Sequence, residues 1–170
     1  FLVNKIPVLE YSIKTFHKLD FVNKVVVVLP KEDIKKYKKI TNLYSKTTIV
    51  AGGKERYNSV QNGLHNCYPK TTYVAIHDAA RPLVSKKIIL DCIYWLKRYD
   101  GVVPGIKVSD TLKYVNKNLE IEKHIDRTNI FAVQTPQMFK FEVVKKIYSK
   151  EIVDKWSKKY NVTDDTQLAQ

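Results

Sequence analysis

A His-Asp pair followed by an arginine is the part of the sequence best suited to chemistry. The apolar run Tyr73-Val-Ala-Ile76 has the length and residue types of a buried parallel strand, and His77-Asp78-Ala79-Ala80-Arg81-Pro82 follows it directly. In open α/β sheets, ligands bind at the carboxyl ends of the strands. An Asp78 carboxylate there can bind a divalent cation, and an Arg81 guanidinium can bind a phosphate. A polar loop that only caps its own strand is the alternative interpretation.

A glycine pair before a predicted helix is a second candidate binding segment. Gly52 and Gly53 follow the apolar run Thr47–Ala51, and the stretch Arg56–Cys67 has helical periodicity. Paired glycines let the backbone approach a ligand closely or adopt positive φ. Free amides at the start of the helix, together with the Ser59 hydroxyl, would suit a nucleotide. A plain tight turn is the alternative.

A predicted β-hairpin carries a third candidate site. Apolar residues alternate between 110 and 125 on either side of the turn signal Asn116-Lys-Asn118. Ser109-Asp110-Thr111 lies at the root of the hairpin and Asp126-Arg127 at its return, so a hydroxyl and a guanidinium can bind a phosphate there. An ordinary charged surface hairpin is the alternative. Because a lone two-stranded ribbon is marginal without packing, we expect a dimer arm or a lid.

Two further polar segments are weaker signals. Gln134-Thr-Pro-Gln137 is predicted to be a turn where a strand ends. Thr163-Asp164-Asp165 has the pattern of a helix N-cap with acidic first-turn residues, which is the favoured interpretation from the residues alone. The sequence contains no apparent Ser/His/Asp or Cys/His arrangement, so a nucleophilic triad is not predicted.

Composition limits the classes of function. The formal net charge is +13, but only four of the 30 basic residues are arginines and the lysines are spread along the chain. We therefore expect a solvated surface that attracts small anions, and no nucleic-acid partner. Isolated Cys67 and Cys92 indicate a reducing compartment, and no run has the length of a membrane span or a signal peptide. The expected location is a bacterial cytoplasm or a plastid stroma, with no membrane partner.

The predicted elements that must position these residues alternate between strands and helices. Helices are predicted over 6–19, 31–39, 56–67, 86–99, 140–149 and 151–160, and strands over 25–29, 47–51, 73–76, 102–108 and 130–133. This alternation predicts one α/β domain over residues 1–170, built on a doubly wound, mostly parallel sheet. The hairpin, within residues 109–127, is predicted to be an inserted arm.

Taken together and in this order, the motifs resemble those of the 2-C-methyl-D-erythritol 4-phosphate cytidylyltransferases. The matching segments are Gly52-Gly53-x-x-Arg56-x-x-Ser59-Val60, His77-Asp78-Ala-Ala-Arg81-Pro82, Asp110-Thr111-Leu-Lys113, Asp126-Arg127, Gln134-Thr-Pro-Gln137 and Thr163-Asp164-Asp165. The resemblance covers essentially the whole chain. It implies a homodimeric, Rossmann-like nucleotidyltransferase that uses CTP, Mg²⁺ and a polyol phosphate, and releases pyrophosphate in isoprenoid precursor synthesis.

The resemblance also implies roles for individual residues. The residues that would contact CTP are Gly52, Gly53, Ser59, Ala79, Ala80 and Arg81. Asp78 would lie at the metal and at the diol of the acceptor. Thr111 and Arg127 would hold the acceptor phosphate in the partner's site, and Thr163 would touch the same substrate. The expected catalytic residues are Asp78, Arg81, Thr111 and Arg127.

The family pattern extends beyond both ends of residues 1–170. The family begins with a strand and a Gly-rich, triphosphate-binding loop ahead of the segment matching Phe1-Leu2, and it continues beyond Gln170. We therefore expect the complete protein to be an enzyme and residues 1–170 alone to act weakly.

The alternative functions are a ribitol 5-phosphate cytidylyltransferase, a catalytically silent binding protein and a basic nucleic-acid binder. Ala80 argues against the ribitol branch, which tends to carry Val there.

Overall fold

The computed structural model describes residues 2–149 and 151–153. The strands are β1 (Leu2–Val3), β2 (Ile6–Pro7), β3 (Val25–Leu29), β4 (Thr47–Ala51), β5 (Tyr73–Ile76), β6 (Gly101–Val102), β7 (Gly105–Lys107), β8 (Leu112–Val115), β9 (Ile121–Ile125), β10 (Phe131–Val133) and β11 (Gln137–Lys140). The helices are α1 (Val8–His17), α2 (Ile34–Tyr37), α3 (Lys39–Leu43), α4 (Arg56–His65), α5 (Lys86–Leu96) and α6 (Phe141–Ile147), with a 3₁₀ turn at Lys31–Asp33. None of these helices is long and apolar enough to cross a membrane.

Strands β3 and β4 form the parallel part of the fold. They pair in register from Val25 opposite Thr47 to Leu29 opposite Ala51. Their β-branched residues favour extended backbone, and both faces of each strand are at least partly covered. These two strands were predicted correctly, and β4 delivers the chain to Gly52.

A second sheet has the order β5-β11-β6, and its central strand is antiparallel to both neighbours. The prediction of a mostly parallel sheet is therefore corrected: the sheets of the described residues are mixed. Strand β11 covers Gln137–Lys140. The sequence prediction placed Gln137 in a turn and Lys140 at the start of a helix, with no strand between them. Met138 and Phe139 are 4% and 1% exposed, because helices cover both faces of this strand.

The two faces of β11 belong to different core clusters. Phe139 packs with Leu64 of α4 and Val144 of α6. Met138, which points to the opposite face, packs with Ile89 and Leu96 of α5. Helices thus lie on both sides of the sheet, as expected for a layered α/β domain. A third cluster joins α1, β3 and α3.

The chain between β6 and β11 forms two antiparallel ribbons. Strand β8 pairs with β9 as the predicted hairpin, with Leu112 opposite Ile125. The predicted strand over 102–108 is instead split at Pro104 into β6 and β7, which belong to different sheets. The segment predicted to return to the main sheet, β10, pairs with β7 and is exposed. Most of the predicted helix 151–160, and Thr163, lie outside the described residues.

Candidate active site

His77, at the end of β5, is held by hydrogen bonds on both ring nitrogens. Nε2 lies 3.1 Å from the Arg81 carbonyl oxygen, and Nδ1 lies 3.0 Å from Thr135 Oγ1. Burial lowers the pKa of His77 below its ordinary value of 6.5, and the hydrogen bond to the Arg81 backbone only partly opposes this. Because a carbonyl only accepts, the neutral ring carries its proton on Nε2, and Nδ1 accepts from the Thr135 hydroxyl.

The Thr135 hydroxyl also connects the two loops that follow β5 and precede β11. Its oxygen accepts a hydrogen bond from the Asp78 N–H at 3.2 Å while its proton goes to His77. The Arg81 N–H donates to the Asp78 carbonyl oxygen at 2.9 Å and closes a tight turn. This network fixes the backbone from which the Asp78 and Arg81 side chains project.

Asp78 and Arg81 lie side by side at the surface. Arg81 Nε donates to Asp78 Oδ2 at 3.4 Å, and the two side chains are 42% (Arg81) and 44% (Asp78) exposed. Arg81 Nη1 also donates to Gln134 Oε1. The structure therefore places Asp78 and Arg81 next to each other, and the two side chains are paired with each other. The intervening Ala79 and Ala80 are exposed.

The glycine pair forms a compact turn ahead of α4. The Gly53 N–H donates to Ser59 Oγ at 3.1 Å, and the Ser59 hydroxyl donates to the Glu55 carbonyl oxygen at 3.3 Å. Neither glycine has positive φ, so that part of the expectation is wrong. Gly53 is required for another reason: a Cβ there would lie 2.2 Å from the Cβ of Asn58.

The third predicted pair, Thr111 and Arg127, lies at the hairpin root, which consists of residues 109–111 and 126–127. Arg127 Nη1 donates to the Ser109 carbonyl oxygen across the base of the hairpin, next to Thr111. Asp126 Oδ1 accepts from the N–H and hydroxyl of Thr128 at 2.9 and 2.6 Å, and these two hydrogen bonds lower its pKa below the ordinary value. Residues 109–111 and 126–127 on the two sides of the root are exposed.

Each of these three groups has its own hydrogen bonds: Gly53 with Ser59, Asp78 and Arg81 with each other and with Thr135 and Gln134, and Arg127 with Ser109. No group of three or more His, Cys, Asp or Glu side chains among residues 2–149 and 151–153 could hold a metal ion. A hollow of about 230 Å³ opens elsewhere, between the carboxyl end of α4 and α6.

The roles of Gln134 and Thr135 were not predicted from the sequence. Both were assigned to a turn, yet their side chains contact Arg81, His77 and Asp78. Their partners lie 53 to 58 residues away along the chain. Two signals were available: Gln134-Thr-Pro-Gln137 is one of the segments that carry the family resemblance, and its polar side chains lie beside a proline next to a predicted strand.

Known proteins are similar to this chain in both sequence and fold. A family model described as IspD, 2-C-methyl-D-erythritol 4-phosphate cytidylyltransferase, matches residues 2–170. The relative of that name from Clostridium beijerinckii is 37% identical over 172 residues, which cover 99% of this chain and 74% of the relative. The relative from Alkaliphilus oremlandii is 33% identical, with 95% and 69% covered.

A solved structure has a fold similar to that of this chain. The 4-diphosphocytidyl-2C-methyl-D-erythritol synthase of Anaerococcus prevotii superimposes with a TM-score of 0.87 at 27% identity, over 98% of this chain and 72% of that one. This confirms the α/β nucleotidyltransferase fold that the motif resemblance implied. With a family model that matches nearly every residue, the chain belongs to the 2-C-methyl-D-erythritol 4-phosphate cytidylyltransferase family.

Proposed function

We propose that the protein transfers CMP from CTP to 2-C-methyl-D-erythritol 4-phosphate and releases pyrophosphate. A phosphate oxygen of the acceptor attacks the α-phosphorus of CTP, a new P–O bond forms, and the bond to the β-phosphate breaks. The observation that carries the proposal is the Arg81 guanidinium, fixed beside Asp78 and Gln134 in the loop after the carboxyl end of β5. A cation fixed at this edge of an α/β sheet is suited to a nucleotide phosphate.

The proposed catalysis relies on positioning and charge. Both reactants are anions, so neutralising their repulsion and aligning them supply most of the rate enhancement. Because a phosphate oxygen is already a nucleophile, the reaction needs no residue to activate it. We assign the nucleotide to Gly52, Gly53, Ser59 and the segment Ala79-Ala80-Arg81.

Asp78 is the proposed ligand for Mg²⁺. Magnesium is usually held by one or two carboxylates together with substrate phosphates, so a single carboxylate near the nucleotide fits this ion. When bound, the ion would neutralise charge on the phosphates. Asp78 accepts a long hydrogen bond from Arg81 at 3.4 Å, and its half-exposed carboxylate remains accessible.

The acceptor phosphate is assigned to Thr111 and Arg127 at the hairpin root, with Thr163 as a further contact. The hairpin has little core of its own: Val115 and Ile121, which face each other across it, are 43% and 66% exposed. Such a ribbon is stabilised by packing against another surface. We therefore propose a homodimer in which the arm of one chain completes the site of the other.

The test is a pyrophosphate-release assay with the whole protein, CTP, Mg²⁺ and 2-C-methyl-D-erythritol 4-phosphate. We expect turnover that ATP does not support in place of CTP. A preference for ribitol 5-phosphate would assign the protein to that activity instead. Absence of turnover, with salt-sensitive binding to duplex DNA or RNA, would favour a nucleic-acid binder. The expectation that residues 1–170 alone act weakly remains a prediction that the same assay checks.

A further inference from the structure

The Gln134 side chain is fixed at both ends of its carboxamide. Nε2 donates to the Ala132 carbonyl oxygen at 3.3 Å, and Oε1 accepts from Arg81 Nη1. The backbone N–H of Gln134 donates to the Pro104 carbonyl oxygen at 2.8 Å. Because a carbonyl cannot donate, the amide nitrogen must face Ala132, and the amide oxygen is thereby directed at Arg81.

Gln134 differs from the other partner of Arg81 because it is neutral. The Nε–Oδ2 distance of 3.4 Å to Asp78 is long for a charge-assisted hydrogen bond, which is usually about 2.7–2.9 Å. A neutral acceptor restricts the guanidinium without cancelling its charge, whereas a second carboxylate would compete with an incoming phosphate. Of the five N–H groups of Arg81, two have partners among the described residues.

We infer that Gln134 is a positioning residue that holds the Arg81 guanidinium in the orientation that receives the nucleotide phosphate. The inference rests on the proposed function for the identity of the anion. It assigns Gln134 no contact with substrate, so its whole contribution acts through Arg81. That property separates it from a residue that only stabilises the fold.

The first experiment replaces Gln134 with methionine in the whole protein. Gln134→Met keeps the length of the side chain and removes both hydrogen bonds of the amide. We expect the KM for CTP to rise by about 10-fold, as for a lost hydrogen bond to a charged group, with a smaller change in kcat. The KM for the acceptor should not change. Gln61→Met is the matched control, because Gln61 Nε2 donates to the Tyr148 carbonyl oxygen at 2.9 Å, outside this site.

A double-mutant cycle tests whether the effect passes through Arg81. In an Arg81→Met background, Gln134→Met should cause no further loss of kcat/KM for CTP. Two losses that multiply would overturn the inference, as would wild-type kinetics in the single variant. A parallel rise in the acceptor KM together with a lower Tm would show a general structural role and also overturn it.

A measurement without substrate separates this inference from the proposed function. The side-chain Nε signal of Arg81 can be assigned by NMR, because it is absent from the spectrum of Arg81→Met. We expect rotation about the Nε–Cζ bond of Arg81 to become faster in Gln134→Met and to stay unchanged in Gln61→Met. Unchanged rotation in Gln134→Met would overturn the inference even in an active enzyme. Failure of the wild-type protein to turn over CTP would overturn the proposed function and leave this result valid.

Discussion

At Gly53 the backbone passes so close to the first turn of α4 that no side chain fits. A Cβ on Gly53 would lie 2.2 Å from the Cβ of Asn58. Gly53→Ala must therefore displace the turn that delivers the Gly53 N–H to Ser59. We expect a loss of about 1–3 kcal/mol in unfolding free energy, as for other overpacked sites, and a weaker affinity for CTP. Chemical denaturation and isothermal titration with CTP measure the two effects.

Gly105→Ala is the control for this substitution. A Cβ there would lie 3.4 Å from the Cβ of Phe131, an ordinary contact on an exposed strand. Its unfolding free energy should stay within about 0.5 kcal/mol of the wild type. If Gly53→Ala were as stable as Gly105→Ala and bound CTP equally well, the Gly53 turn would not shape the nucleotide site.

Asp126 offers a test of the hairpin root by titration. Thr128 donates two hydrogen bonds to its carboxylate, which lower its pKa below the ordinary value of 3.8. A carboxyl whose folded pKa is lowered contributes stability above its unfolded pKa and loses that contribution as the pH falls through the folded value. Thr128→Val removes the hydroxyl and should raise the pKa of Asp126 towards 3.8. Carboxyl NMR titration measures this change, and an unaltered pKa would contradict the root geometry.

The contacts of a residue could be predicted from the sequence when its partner lies close to it along the chain. Asp78 and Arg81 are three positions apart after a recognisable strand, so sequence alone could place them together. The hydrogen bonds of Gln134 and Thr135 to this loop depend on the pairing of β5 with β11. That pairing brings together segments more than 50 residues apart, and no periodicity within either segment indicates it.

Among the secondary-structure elements, the hairpin is the one on which the proposed homodimer depends. Ile121 is 66% exposed and faces Val115 across the two strands. If the arm packs on a partner, Ile121→Glu would bury a charge in an apolar contact. We expect the dimer Kd to rise by about 10-fold or more, with little change in monomer stability. Analytical ultracentrifugation over a range of protein concentrations measures the Kd.

Leu43→Glu is the matched control, since Leu43 is also 66% exposed but lies on α3. Its dimer Kd should equal that of the wild type. An equal shift in both variants would indicate a nonspecific effect of charge. A protein that remains monomeric at all concentrations before any substitution would overturn the arm proposal itself.

The elements that were predicted well from the sequence share one property: each has a local residue pattern that indicates its secondary structure. Strands β3, β4 and β5 are runs of apolar residues rich in β-branched side chains, and α4 follows a clear breaker. Strand β11 lacks such a pattern, because it begins with a polar glutamine and ends at a lysine. Its extended conformation comes from its place between β5 and β6, which is a tertiary effect.

At the scale of the whole molecule, the charge has a kinetic consequence. The net charge of +13 is spread over the chain, whereas the proposed substrates are both anions. Distributed positive charge raises the local concentration of anionic ligands, and salt screens this attraction. Raising the ionic strength from about 0.01 to 0.1 M shortens the Debye length from about 30 to about 10 Å. We therefore expect kcat/KM for CTP to fall several-fold over this range.

The same measurement distinguishes long-range attraction from the contacts within the site. Charges that act at a distance change the encounter with CTP, so kcat at saturating substrate should vary little with salt. Short-range, oriented contacts such as those proposed for Arg81 are screened much less. In Arg81→Met, kcat/KM should be lower at every ionic strength but should fall with salt by nearly the same factor. A salt dependence that disappears in this variant would show that the attraction is local to Arg81 and that the distributed lysines contribute nothing to it.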